Sequence, residues 1–240
     1  MAEQPSAGQM EPKPRSRVVI AIDGPAGSGK STLAALLARK YNYTNIETGA
    51  MYRALALKAL ENNVSVDEGE NLAQLARSSA IQLIPRPEGN RVVLDGRDVT
   101  EDIRRQEVTD AASRVSVHPA VRDWMVHRQR ELGVAGGIVM EGRDIGTKVF
   151  PDAEIKIFLD AAPEVRGSRR FLQQPATSAP EGAVLAELRA RDERDRTRAN
   201  SPLIPATDAV LIDSTNLTLD QVLQRACEII ESKLAQMRSR

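Results

Sequence analysis

The chain has no second cysteine, no excess of either charge and no long apolar run, and each absence removes a class of function. Cys227 is the single cysteine of 240 residues, so an internal disulfide cannot form and a thiolate metal site has no second sulfur. Set in an apolar helical pattern near the C-terminus, it reads as a small buried hydrophobe. Lysine plus arginine and aspartate plus glutamate number 33 each, which leaves no overall charge to draw the chain to nucleic acid or a membrane. Any anion site must therefore come from local arrangement. No apolar stretch approaches the length needed to cross a bilayer. Residues 1–17, rich in Pro, Gln, Glu and Ser, lack the apolar centre of a signal peptide. A cytoplasmic protein with a disordered tail over 1–17 is expected. His118 and His127 have no His or Cys partner at metal-ligand spacing. Trp124, with Val121, Met125 and Leu132, fits helix packing better than a base-stacking platform.

What is present has the pattern of an α/β protein. Residues 18–22 form a β-branched run that ends at Asp23, and a glycine-rich turn and a helical pattern over 32–39 follow directly. Further short apolar runs at 138–140, 155–159 and 209–212, with a helical segment between the last two, predict a parallel sheet covered by helices on both faces. Residues 43–47 offer a fifth, short strand before a helical stretch over 50–61. The last helix starts at a capping box, Thr218 with Gln221, ahead of Val222, Leu223, Ala226, Cys227, Ile229, Ile230 and Leu234. Between these parts the chain carries something a plain mononucleotide fold does not require. Residues 81–85 and 91–94 read as strands, and Asp95-Gly96 before Arg97 is a hairpin-turn signal. A small β insertion over about 81–103 is expected, followed by helices at 106–116 and 119–132. The domain reading is a core of 18–80 and 133–240 with an insertion and its helices at 81–132. Residues 173–182 are expected to be an exposed loop.

Gly24-Pro25-Ala26-Gly27-Ser28-Gly29-Lys30-Ser31, with Thr32 after it, fits the phosphate-binding pattern of Gly, four residues, then Gly-Lys-Ser. Glycines let backbone N–H groups turn inward around phosphate oxygens, Lys30 adds a point charge at the β and γ positions, and Ser31 has a hydroxyl for Mg²⁺. The helix behind the loop adds its positive end. ATP or GTP binding follows, but one fold serves kinases, GTPase switches and motors. No Asn-Lys-x-Asp guanine-reading segment occurs. Glu141, at the end of the 138–140 strand, is placed to orient Mg²⁺ directly or through water.

Two segments, Thr48-Gly49-Ala50-Met51-Tyr52-Arg53 and Glu141-Gly142-Arg143-Asp144-Ile145-Gly146-Thr147, resemble the signature segments of bacterial cytidylate kinases. The resemblance continues through Ile103-Arg104-Arg105-Gln106-Glu107-Val108, Ala111-Ala112-Ser113, residues 191–198 and Ser201-Pro202-Leu203, and so covers nearly everything after Arg17. It implies a P-loop nucleoside monophosphate kinase with an enlarged monophosphate-binding insertion and a lid, here about 163–182, that moves the γ-phosphoryl group of ATP onto CMP or dCMP with Mg²⁺. A monomer acting on free nucleotides is the corresponding expectation.

The chemistry of the matched positions supports that reading on its own terms. A dianionic phosphate favours planar bidentate donors, and Arg53 and Arg143 are the candidates. Cytosine pairs an amino donor with ring acceptors, so its pocket wants a carboxylate and guanidinium groups. Asp144, Arg122 and Arg198 supply that set, and the resemblance adds Thr48. Asp144 has a competing role, organising the loop around Gly146 and Thr147. Arg191, Asp195 and Arg198 fall at i, i+4 and i+7, on one side of a helix. Spacing alone describes an exposed, ion-paired helix there. The resemblance implies instead that Arg191 and Asp195, with Ser113, meet the ribose. Arg166, Arg169 and Arg170, after Pro163, are suited to a lid over the triphosphate. The competing readings are a kinase for UMP, AMP or a small alcohol, and a nucleotide-dependent switch using the hairpin as its contact surface.

Overall fold

A computed structural model describes residues 15–86, 89–172 and 180–239. Most of the expected tail, 1–14, and most of the expected loop, 173–179, lie outside the described residues. Arg15 and Arg17, which the sequence reading assigns to the tail, are held against the body of the protein. Arg15 pairs with Asp152 at 2.8 Å and Glu154 at 3.2 Å, and Arg17 donates to Asn42 O at 2.7 Å.

Among the described residues, five strands form one parallel sheet: β1 (Val19–Asp23), β2 (Thr44–Glu47), β6 (Ile138–Gly142), β7 (Ile155–Asp160) and β8 (Val210–Asp213), in the order β2-β6-β1-β7-β8. β1 is central and wholly buried, and its alternation divides the core. Val18, Ile20 and Ile22 face α1 (Lys30–Tyr41) and α8 (Leu219–Arg238), where Leu33, Leu37, Ala226, Cys227 and Ile230 pack. Val19 and Ala21 face the other way, onto Ile46, Met140 and Val126 of α5 (Pro119–Gly133). Truncating Ile20, which has no exposed surface, would cost about 2–5 kcal/mol. α8 starts at the expected capping box, with Gln221 N–H donating to Thr218 Oγ1 at 3.3 Å and Thr218 N–H to Gln221 Oε1 at 2.8 Å.

A second layer with its own apolar cluster takes in residues 48–77 as well as the expected 81–132 insertion. α2 (Thr48–Glu61), α3 (Gly69–Arg77), the antiparallel sheet β3 (Ile81–Arg86), β4 (Gly89–Leu94) and β5 (Arg97–Asp98), and α4 (Gln106–Val115) pack around Leu55, Leu72, Val92, Val108 and Met125. Trp124 joins that packing, and His118 holds Val66 O at 2.8 Å. Asn90 on β4 ties the two sheets together by hydrogen bonds: it accepts from Glu47 N–H at 2.9 Å and donates to Asn45 O at 2.8 Å.

α3 was not expected from the sequence. α6 (Pro163–Leu172) and α7 (Glu181–Thr197) complete the fold. α7 ends before Arg198, whose ψ of 136° is extended, so the expected i, i+4, i+7 face loses its last member. Arg198 still reaches Asp195 at 3.6 Å, with its Nε donating to Ser201 O at 2.7 Å.

Candidate active site

Both layers open onto one cleft of about 1320 Å³ at the C-terminal ends of β1, β2 and β6, where ligands of open α/β sheets collect. The phosphate loop forms its floor. Gly24 stands at φ 152° with Leu159 O where a Cβ would lie, 2.0 Å away, so only glycine lets the loop leave β1 so close to β7. Gly27 and Gly29 also hold positive φ, 75° and 97°. Lys30 Nζ donates to Pro25 O at 2.6 Å and Ser28 Oγ at 3.3 Å, folded over its own loop. Ala26, Gly27, Ser28, Gly29, Lys30, Ser31 and Thr32 line the cleft, whereas Gly24 and Pro25 support it from behind. Ser31 Oγ lies 3.0 Å from Glu141 Oε1.

Opposite the loop lie the residues the sequence singled out. Thr48, at the start of α2, donates to Glu141 O at 2.8 Å. Arg53, one turn on, is paired with Glu47 Oε1 at 2.5 Å. Arg143 Nε donates to Asp195 Oδ2 at 2.9 Å. Arg122 and Asp144, only 2% and 5% exposed, form a buried pair at 2.5 Å, and Arg122 Nη1 donates to Ser116 O at 3.2 Å. Arg122 is thus not on a solvated helix face. Ser113 accepts from Arg194 Nε at 3.2 Å. Arg191 Nε, Arg122 Nε and Arg198 Nη2 are buried without a hydrogen-bond partner.

The lid reading needs a correction at Arg166. It is 2% exposed and does not line the cleft; its Nη1 donates to Ala26 O at 3.0 Å and Asp192 Oδ2 at 2.5 Å, and its Nε to Ala161 O at 2.8 Å. Three acceptors from three parts of the chain make it a strut between the phosphate loop and α7. Arg169 and Arg170 do line the cleft, and Arg169 donates to Ser214 O at 2.8 Å.

Positive charge is concentrated here beyond what the carboxylates balance. Burial, and then Arg143, push the Lys30 ammonium down to about 7. Burial and the same Arg143 push Arg191 down to about 10, with Arg53 adding to the effect. Burial also raises the Glu141 carboxyl, against the pull of Lys30. Asp195 is buried too, but Arg143, Arg191 and Arg198 hold it below the usual carboxylate range. Repulsion among cations in a low-dielectric cleft is relieved by a polyanion.

Sequence reasoning passed over four contributors. Asp23 ends β1 and accepts from Ile145 N–H at 2.8 Å and Gly146 N–H at 2.7 Å. Glu47 holds Arg53, and its place at a strand end, cross-strand from Glu141, was the available signal. Ser214 and Leu217, after β8, line the far end of the cleft.

A phosphate loop on a parallel sheet, facing a second cationic pocket with a buried Arg–Asp pair behind it, defines a P-loop phosphotransferase. The cytidylate kinase family model matches residues 20–232. Cytidylate kinases of Enterococcus faecalis, Geobacillus thermodenitrificans and Vibrio cholerae are 47%, 46% and 45% identical to this chain. The matches span 90%, 91% and 90% of this chain and 97%, 98% and 97% of those proteins. The chain belongs to the cytidylate kinase family.

Proposed function

We propose that the protein transfers the γ-phosphoryl group of ATP to CMP or dCMP, giving ADP and CDP or dCDP, in this one cleft. The observation that carries the site assignment is the cluster of Lys30, Arg53, Arg143 and Arg191, only partly balanced by Glu47, Glu141 and Asp195, between the phosphate loop and the Arg122–Asp144 pair. The loop amides and Lys30 hold the donor phosphates, whose oxygens take over the bonds Lys30 makes to Pro25 and Ser28. Arg53 and Arg143 receive the acceptor phosphate, Arg191, Asp195 and Ser113 the ribose, and Asp144, Arg122, Arg198 and Thr48 the base. The acceptor phosphate is already an anionic nucleophile, so no general base is required. Positioning in line and neutralising the spread charge of the transferring group suffice.

Ser31 and Glu141 are hard oxygen donors 3.0 Å apart at the edge of the phosphate loop, a fit for Mg²⁺, which takes one or two protein ligands and completes its shell with phosphates and water. Ser31 and Glu141 would hold the ion, which would supply charge neutralisation at the donor phosphates. Phosphate loop, acceptor pocket and base pocket are all built from a single chain, so we read the enzyme as a monomer acting on free cytoplasmic nucleotides. A panel of nucleoside monophosphates decides: ADP formation from ATP should depend on CMP or dCMP. ATP hydrolysis indifferent to any monophosphate would support a switch instead.

A further inference from the structure

We propose that Asp23 is a positioning residue of the acceptor pocket, holding the loop that carries Arg143 and Asp144 at a fixed offset from the phosphate loop. The proposal deepens the function above and rests on that reading of the base pocket. β1 and β6 run in register to the pair Asp23 and Gly142. Beyond that pair the two chains part, one into the phosphate loop at Gly24 and the other into Arg143, Asp144 and the π-helical turn Ile145–Val149. The Asp23 side chain closes the fork. Its two carboxylate oxygens accept separately from Ile145 N–H at 2.8 Å and Gly146 N–H at 2.7 Å. Gly146 packs closely there: a Cβ on it would lie 3.1 Å from the Lys156 side chain, itself tied to Pro151 O and Asp208.

Fold stability does not account for an acid at this position. Asp23 is 4% exposed, and an ionised carboxylate there loses most of its hydration. Burial accordingly drives its carboxyl up to about 7, against the two backbone hydrogen bonds that favour the charged form. A neutral side chain would avoid that cost, but it would not supply two strong acceptors aimed at consecutive amides. What the carboxylate adds is the fixed geometry of the residues just before those amides, Arg143 and Asp144.

Asp23→Asn tests this, since it keeps volume and one acceptor oxygen while losing the second. The KM for CMP should rise roughly tenfold and the CMP over UMP ratio should narrow, as expected for a lost charge-assisted bond. The KM for ATP should stay within about twofold, because the phosphate loop is set by its own glycines and by Lys30. An unchanged KM for CMP, or equal losses for CMP and ATP, overturns the assignment. Should the variant not fold, hydrogen exchange in the wild-type protein decides. Ile145 and Gly146 amides should be protected like those of β1 and β6 before any nucleotide is added, and exchange at exposed-loop rates overturns the proposal. Wild-type protein that phosphorylates neither CMP nor dCMP would refute the reading of the site itself. Active wild-type protein with an indifferent Asp23→Asn variant refutes only the positioning role.

Discussion

Removing the Asp144 carboxylate should damage base choice and stability together, and the two losses are separable. Among the described residues, Asp144 Oδ2 is the one carboxylate contact of Arg122, at 2.5 Å. Arg122 is 2% exposed, keeps a backbone acceptor at Ser116 O, and already has an unpartnered Nε. Asp144→Ala therefore leaves a guanidinium buried beside a cavity, and breaking such a pair costs about 3–5 kcal/mol. For a chain of this size that is a fall in Tm of roughly 6–20 °C. Asp144→Asn, which keeps an acceptor for Arg122, should fall by less. Activity should follow different arithmetic. CMP presents an amino donor to the carboxylate where UMP presents a carbonyl oxygen, and an unpaired polar group of this kind is worth roughly tenfold to hundredfold in discrimination. Measured as kcat/KM at saturating ATP, Asp144→Ala should lose that factor for CMP and far less for UMP. Equal fold losses for the two acceptors would refute base reading and leave only the loop-organising role. An unchanged Tm would refute the energetics assigned to the buried pair.

Lys30→Ala should retain the fold but lose most turnover, checked by kcat alongside thermal unfolding; near-normal kcat in a folded variant would remove Lys30 from phosphoryl charge stabilisation. Asp195→Ala should impair CMP and dCMP use while preserving the preference for cytosine over uracil, and collapse of base preference in a panel of CMP, dCMP, UMP and dUMP would contradict its place beside the ribose. The Asp23 carboxyl, raised by burial to about 7, sets a pH window. Between about pH 4 and 7 the folded protein holds a proton that the unfolded chain has released, so this group's contribution to stability falls as pH rises. Asp23→Asn lacks that penalty, so its Tm relative to wild type should improve steadily across the window; a difference that is flat with pH would show that Asp23 titrates normally.

How much of this was legible in the sequence depends on the range of the interaction that decides each element. Strand β1, the phosphate loop and α1 are set by neighbours in sequence, and glycine spacing with flanking periodicity was enough to place them. Strand β2 was weakly marked because only Ile46 of its four residues is buried; its pairing with β6, far along the chain, makes it a strand. Helix α3 was missed although Leu72, Ala73 and Ala76 are spaced for one buried helical face. Polar side chains were legible as a set but not in their partners. Arg166 looked like its neighbours Arg169 and Arg170 until Ala26, 140 residues away, and Asp192, 26 residues away, proved to be what it holds. Asp23 gave no local sign of its role, because both amides it binds lie more than 100 residues on, at separations of 122 and 123.

The Asn90 bridge has a consequence for solubility. β2 is an edge of the five-stranded sheet, and its outward-facing backbone groups are of the kind that recruit a strand from another chain. Asn90 occupies two of them, Glu47 N–H and Asn45 O. A single side-chain amide, set by the docking of β4, thus takes the place of a sixth strand. The opposite edge, β8, has no such plug among the described residues and carries Leu211 at 64% exposure. It is four residues long and ends at the exposed Asp213, and brevity with a terminal charge is its defence against strand addition.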